Sequence, residues 1–307
     1  NKNIKMINRR NFIKSSLLFS TAYTPIRYIH AANNAHVVIV GAGWGGLSTA
    51  KTLRTLNRSL KITVVEKQKY FKSCPISNWV IGNIKNMNDI TFSYSDFIKN
   101  NNINFLYETV DNIDIEKKII KLNNSTIRYD KLILSPGIEL EYEKVLGLKN
   151  ALKSNYVYTA WKAGEETKLF SNQLTKLQHN EKVIITIPLS PYRCPPGPYE
   201  RASLIANFIK KNNLKSKVIV LDANQKIISK GKLFSKAWNE LYSDIIEYKP
   251  DSNVIEIDSK EKKVITDFDE YEFDIANIIP SQKASNLLKK AGLIESNKNW
   301  ASVNPND

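Results

Sequence analysis

The chain has 307 residues, 42% of them hydrophobic, which suits a globular protein with room for two domains and excludes a disordered or fibrous one. Its net charge is +15, but the lysines are scattered among Asn and Ile with no arginine-rich stripe or interleaved aromatics, so no nucleic-acid partner is expected. Two cysteines and three histidines exclude a disulfide scaffold and leave no metal-ligand spacing.

Near the N-terminus, Asn8-Arg9-Arg10-Asn11-Phe12-Ile13-Lys14 resembles a twin-arginine export signal. An apolar run over 13–29 and the small pair Ala31-Ala32 follow. Pro25 and Arg27 interrupt that run, and no other stretch is long and apolar enough to span a bilayer, so no transmembrane segment is expected. Residues 1–34 are therefore read as a signal starting at Met6, and the location as periplasmic. Twin-arginine export carries folded proteins, which points to a cofactor inserted before export.

The folded part opens with an apolar strand over 36–40, the turn Gly41-Ala42-Gly43-Trp44-Gly45-Gly46, a helix over 47–56 and a second strand over 61–66. This is a dinucleotide-binding βαβ unit. Gly41 permits the tight turn, Gly43 lets the backbone approach a pyrophosphate, and Gly46 lets helix pack on strand. Glu66, 20 residues after Gly46, is placed to accept a hydrogen bond from a ribose hydroxyl. The unit's position at the head of the chain favours FAD over NAD. A strand over 104–108, a meander over 116–129, and a strand running into Ser135-Pro136-Gly137 continue the pattern; the last resembles a second flavoprotein motif, which implies that Gly137 contacts the flavin.

A second α/β unit follows, with strands over 183–187 and 217–222 and a helix over 199–212 between them. A nicotinamide domain would carry glycines after its first strand. Here the turn is Arg193-Cys194-Pro195-Pro196-Gly197-Pro198, so nicotinamide binding is expected to be lost and a proline-braced thiol stands in its place. The local residues fit two readings: a reactive thiolate, its pKa lowered by Arg193 and the helix N-terminus, or a buried, inert cysteine. Phe234 and Trp238, on a helix over 232–242, are expected in the core. Hairpin strands over 254–275 and a strand over 274–280 returning to the first domain complete the pattern. The expected fold class is α/β, with two Rossmann-like domains of the disulfide-reductase-like flavoprotein type. The boundaries are 35–160 for the first part of the FAD domain, 161–272 for the second domain and 273–307 for the return.

Three segments carry a family resemblance over about 37–300: Ser73-Cys74-Pro75-Ile76-Ser77-Asn78-Trp79, Ala160-Trp161-Lys162-Ala163-Gly164-Glu165, and the turn from Arg193 through Glu200-Arg201-Ala202. They resemble the flavoprotein subunit of flavocytochrome c sulfide dehydrogenase, a relative of sulfide:quinone oxidoreductase. The resemblance implies FAD joined by a thioether to Cys74. It implies that Cys194 is half of a redox disulfide attacked by sulfide, with electrons passing through the flavin to a c-type cytochrome subunit. The sequence departs from the pattern in Asn299-Trp300-Ala301, where Ala301 occupies the partner cysteine's place. The resemblance also implies a further C-terminal portion holding part of the flavin pocket, so the 307 residues are expected to be a piece of the whole and to retain flavin weakly. Two alternatives stand beside the main reading: a sulfide:quinone oxidoreductase-like enzyme, and a non-catalytic flavoprotein or sulfur-carrier subunit.

Overall fold

The computed structural model describes residues 35–304; the expected export signal lies outside them. Two parallel sheets organise the chain. The first has the order Asn104–Leu106, Lys61–Val65, His36–Val40, Lys131–Leu134. In the two inner strands every residue but the first is buried, because both faces are covered, which explains their unbroken apolar runs. Helix Trp44–Leu56 covers one face through Leu47, Ala50 and Leu53. The antiparallel meander Val110–Asp114, Ile119–Leu122, Thr126–Arg128 covers the other, packing Ile120 and Leu122 against Val38, Val40 and Val65.

The second sheet has the order Val157–Tyr158, Ile275–Ile278, Lys182–Ile187, Lys217–Asp222, Ile246–Lys249, all parallel. Helix Gly197–Lys211 lies on it, burying Tyr199, Ala202, Ile205, Ala206 and Ile209 at helical spacing. The helix starts two residues earlier than expected, because Pro198 is tolerated in a first turn, where its missing N–H has no intrahelical acceptor. Trp238 is buried and Phe234 packs against the same core, as expected. The hairpin strands form the meander Val254–Asp258, Lys263–Thr266, Glu270–Glu272.

One connection differs from expectation. Strand Ile275–Ile278 does not return to the first domain; it enters the interior of the second sheet, where all four of its residues are buried. The crossing back comes later, where Gln282–Ala284 pairs antiparallel with Ile138–Leu140 and Lys290 reaches Asp111 of the first meander. Val157–Tyr158 likewise belongs to the second sheet. No helix among the described residues is long and apolar enough to cross a membrane.

Candidate functional site

The carboxyl ends of both sheets open onto one cavity of about 670 Å³. Ligands of open α/β sheets bind at such ends. Gly43, Glu66, Cys74, Gly137 and Cys194 all line it. Gly41 sits behind Gly43 with φ +96°, and a Cβ there would come within 2.2 Å of the Ser135 carbonyl oxygen. A Cβ on Gly46 would lie 1.8 Å from the Gly41 carbonyl oxygen, so helix and turn are in glycine-only contact. At Gly43 a Cβ would meet nothing within 4 Å, which leaves open space for a pyrophosphate at the N-terminus of helix Trp44–Leu56.

Glu66 does more than the spacing predicted. Its Oε2 accepts from the Ala42 N–H at 2.9 Å and its Oε1 from the Gln68 N–H at 2.8 Å, so the carboxylate holds the glycine turn as well as facing the cavity. Tyr94, also lining the cavity, donates to the Ala42 carbonyl oxygen at 3.4 Å from the other side.

The cysteine turn corrects one expectation. Cys194 adopts φ +59°, an uncommon conformation for a residue with a side chain. Its thiol is pushed up, not down: burial is the main cause, followed by the charge of Glu200, and together they outweigh the Gly197 N–H and Arg193. The residue remains open to solvent, which limits the push. The physical reason lies in the neighbours. Pro198 removes one of the helix's free N–H donors, Glu200 puts a negative charge in its first turn, and Arg193 points elsewhere. Cys194 is accordingly expected to alkylate more slowly than an unperturbed thiol at neutral pH and to speed up only as the pH rises past the ordinary thiol range. Timed iodoacetamide labelling with peptide mass mapping checks this, and labelling faster than a free thiol at pH 7 would contradict it.

The Arg193 guanidinium turns to Cys74. Its Nη2 donates to the Cys74 Sγ at 3.3 Å and to the Trp161 carbonyl oxygen. The same sulfur accepts from the Ala163 N–H at 3.4 Å. The Arg193 backbone N–H is held by the Gln282 Oε1 at 2.9 Å. The neighbouring Ala284 N–H donates to the Asn299 carbonyl oxygen at 2.9 Å, which brings the Asn299-Trp300-Ala301 stretch alongside the strand that braces the cysteine turn.

Sequence reasoning assigned no role to Arg201, which is 1% exposed yet lines the cavity. It donates to Asn78 Oδ1 at 3.0 Å, Asn277 Oδ1 at 2.7 Å and the Ala160 carbonyl oxygen at 2.9 Å, all neutral acceptors. Its Cζ lies 5.2 Å from the Trp161 ring centroid, and the Arg193 Cζ 5.9 Å from it. The Trp161 indole N–H is buried without a partner, and so is the Ser73 hydroxyl. Lys162 stands in the same wall, pulled below the ordinary ammonium range by burial, then by Lys67 and Arg193. The legible signal for Arg201 was a cation on the buried face of an otherwise apolar helix stripe. The unpartnered Trp161 donor in the cavity wall, the open space at Gly43 and the glycine turn fit FAD.

The acid that ends the corresponding strand of the second unit is occupied by its own neighbours. Asp222 ends the strand Lys217–Asp222 as Glu66 follows Lys61–Val65, but it is fully buried. Tyr199 and Tyr248 donate to its Oδ2 at 2.7 and 2.9 Å, and Asn224 donates twice to its Oδ1. No acceptor site remains open for a ribose hydroxyl.

Comparison with known proteins agrees with this geometry. Residues 35–185 match the pyridine nucleotide-disulphide oxidoreductase profile, and residues 167–280 match the central region of the sulfide dehydrogenase [flavocytochrome c] flavoprotein chain. The flavoprotein chain of Chlorobaculum thiosulfatiphilum is 54% identical over 44 residues, covering 14% of this chain and 92% of that sequence. The mitochondrial sulfide:quinone oxidoreductase of Dictyostelium discoideum is 25% identical over 86% of this chain, which spans 60% of that protein's length. The crystal structure of the Aquifex aeolicus sulfide:quinone oxidoreductase shares the fold, with a TM-score of 0.74 at 21% identity over 87% of this chain and 64% of that one.

Proposed function

Because the chain belongs to the pyridine nucleotide-disulphide oxidoreductase family and matches the sulfide dehydrogenase flavoprotein chain within it, we propose that it oxidises sulfide or a related reduced sulfur species with FAD and passes the electrons to a c-type cytochrome in the periplasm. The observation that carries this reading is the meeting of a dinucleotide turn and two cysteines in one cavity, beside a second unit whose ribose acid is occupied. FAD would lie along Gly43, Glu66 and Gly137, with Cys74 as its covalent anchor, and would supply a two-electron acceptor. Cys194 then receives sulfur. Hydrosulfide and the Cys194 thiol would join in a persulfide anion as both S–H protons and two electrons leave to the two-electron acceptor that bound FAD would supply, so charge and atoms balance. The buried Arg201 and the unpartnered Trp161 indole N–H line the same cavity as the Cys194 thiol.

A quinone acceptor is the second reading, favoured by the longer matches to sulfide:quinone oxidoreductases. The test uses the full gene product, purified anaerobically. Sulfide is expected to bleach the flavin absorbance within seconds, and oxidised cytochrome c to restore it. NADH at the same concentration is expected to leave the flavin oxidised, because Asp222 offers it nothing. Bleaching by NADH, or restoration by a soluble quinone but not by cytochrome c, would overturn the corresponding part of the reading.

A further inference from the structure

Resting on the reading of Cys74 as the flavin anchor, we infer that Arg193 prepares Cys74 for attachment, and that the arginine of the cysteine turn therefore serves the neighbouring domain's sulfur rather than Cys194. The residue is reached from the second sheet, yet its guanidinium crosses the cavity to the Cys74 Sγ at 3.3 Å. Two features aim it there. The Gln282 Oε1 fixes its backbone N–H, and the Trp161 carbonyl oxygen takes a second hydrogen bond from the same nitrogen that reaches the sulfur. The Ala163 N–H reaches the sulfur as well, so Cys74 has two donors directed at it. A sulfur that receives hydrogen bonds from a cation is held as a nucleophile, its lone pair oriented and its developing charge compensated. Cys194, one residue along the chain, receives no hydrogen bond from the Arg193 guanidinium, which is spent on the Cys74 Sγ and the Trp161 carbonyl oxygen.

The chemistry balances as follows. The Cys74 sulfur forms a bond to the methyl carbon at position 8 of the isoalloxazine ring. That carbon and the thiol each give up a proton, and the ring takes both protons with two electrons and ends reduced. Dioxygen then removes the two electrons and two protons, leaving an oxidised ring bound through sulfur. Arg193 is a positioning residue in this step, since it acts through Cys74.

The experiment compares the wild-type full chain with Arg193→Met and Arg193→Lys. Each is supplied with FAD in air, sampled over time and denatured. Flavin fluorescence of the denatured band and the mass of the Cys74 peptide report attachment, scored against the flavin bound before denaturation. Arg193→Met is expected to attach roughly thirtyfold to a hundredfold more slowly, the size of one charge-assisted hydrogen bond, and Arg193→Lys less than about tenfold more slowly. A role in packing alone predicts similar rates for Met and Lys, and that result overturns the inference. Attachment at the wild-type rate in Arg193→Met overturns it too, while leaving Cys74 as the anchor. A wild-type chain whose Cys74 peptide stays unmodified removes the anchor reading itself and this inference with it. Where a variant fails to bind flavin, mass-mapped alkylation of Cys74 makes the same comparison: a rate falling from Arg to Lys to Met supports it, and equal rates sink it.

Discussion

Gly46→Ala is expected to strip the protein of flavin and to lower its stability by about 3 kcal/mol, the upper end for an overpacked site. The added methyl would stand 1.8 Å from the Gly41 carbonyl oxygen and 3.0 Å from its carbonyl carbon, and 3.4 Å from the Ile39 Cγ2. The first two are backbone atoms, so no rotamer change relieves the contact. The turn cannot retreat either, because Gly41 is in a conformation reserved for glycine and is backed by the Ser135 carbonyl at 2.2 Å from its own would-be Cβ. Helix Trp44–Leu56 must therefore lift off strand His36–Val40, and the free N–H groups at its start move away from the phosphates. Gly43→Ala is the control, since its methyl would enter open space and leave the fold intact while encroaching on the ligand. Thermal melting of the dialysed protein and flavin absorbance per chain make the measurement. A Gly46→Ala protein with unchanged melting and full flavin would contradict the packing argument.

The first domain was legible because each of its signals is local. A strand buried on both faces reads as a continuous apolar run, a glycine turn reads as glycines, and the acid follows at a fixed distance. Signals that depend on another part of the chain were not legible. The run Ile275–Ile278 is buried at every position, which says that it is an inner strand but not of which sheet. Its Asn277 held the answer: a polar residue within a buried strand had to find partners, and it bonds Arg201 and the Tyr158 and Thr159 carbonyl oxygens of the second domain. At the cysteine turn, adjacency in sequence suggested that Arg193 would act on Cys194, whereas a long side chain acts where its guanidinium ends. Glu200, three positions into the following helix, faces the thiol's surroundings and also accepts from the Asn78 Nδ2 at 2.8 Å. The sequence contains both residues, but only the folded geometry gives the sign of their combined effect.

Cys194→Ser is expected to slow sulfide-driven bleaching of the flavin by at least about a thousandfold, because a serine hydroxyl cannot take up sulfur and Cys74 is the proposed anchor of the cofactor. Loss of this size would be matched by retention of flavin, since Cys194 contributes its thiol to the cavity and its side chain supports no part of the glycine turn. Ala301→Cys carries the complementary expectation. The Asn299 carbonyl oxygen is bonded to Ala284, two residues beyond the Gln282 that braces the cysteine turn, so a thiol at 301 would stand two residues from a segment tied to the strand that holds that turn. A disulfide formed there would give sulfide an electrophilic sulfur to attack, in place of a thiol that burial and Glu200 keep protonated. Bleaching is then expected to accelerate roughly tenfold or more in Ala301→Cys, with both thiols lost from titration before sulfide is added. If wild type and Cys194→Ser bleach equally, sulfur does not enter through Cys194 and the sulfur-transfer reading fails. If only Ala301→Cys bleaches at all, the natural chain binds flavin and carries sulfur without turning it over, and the residue at position 301 alone separates the carrier from the enzyme.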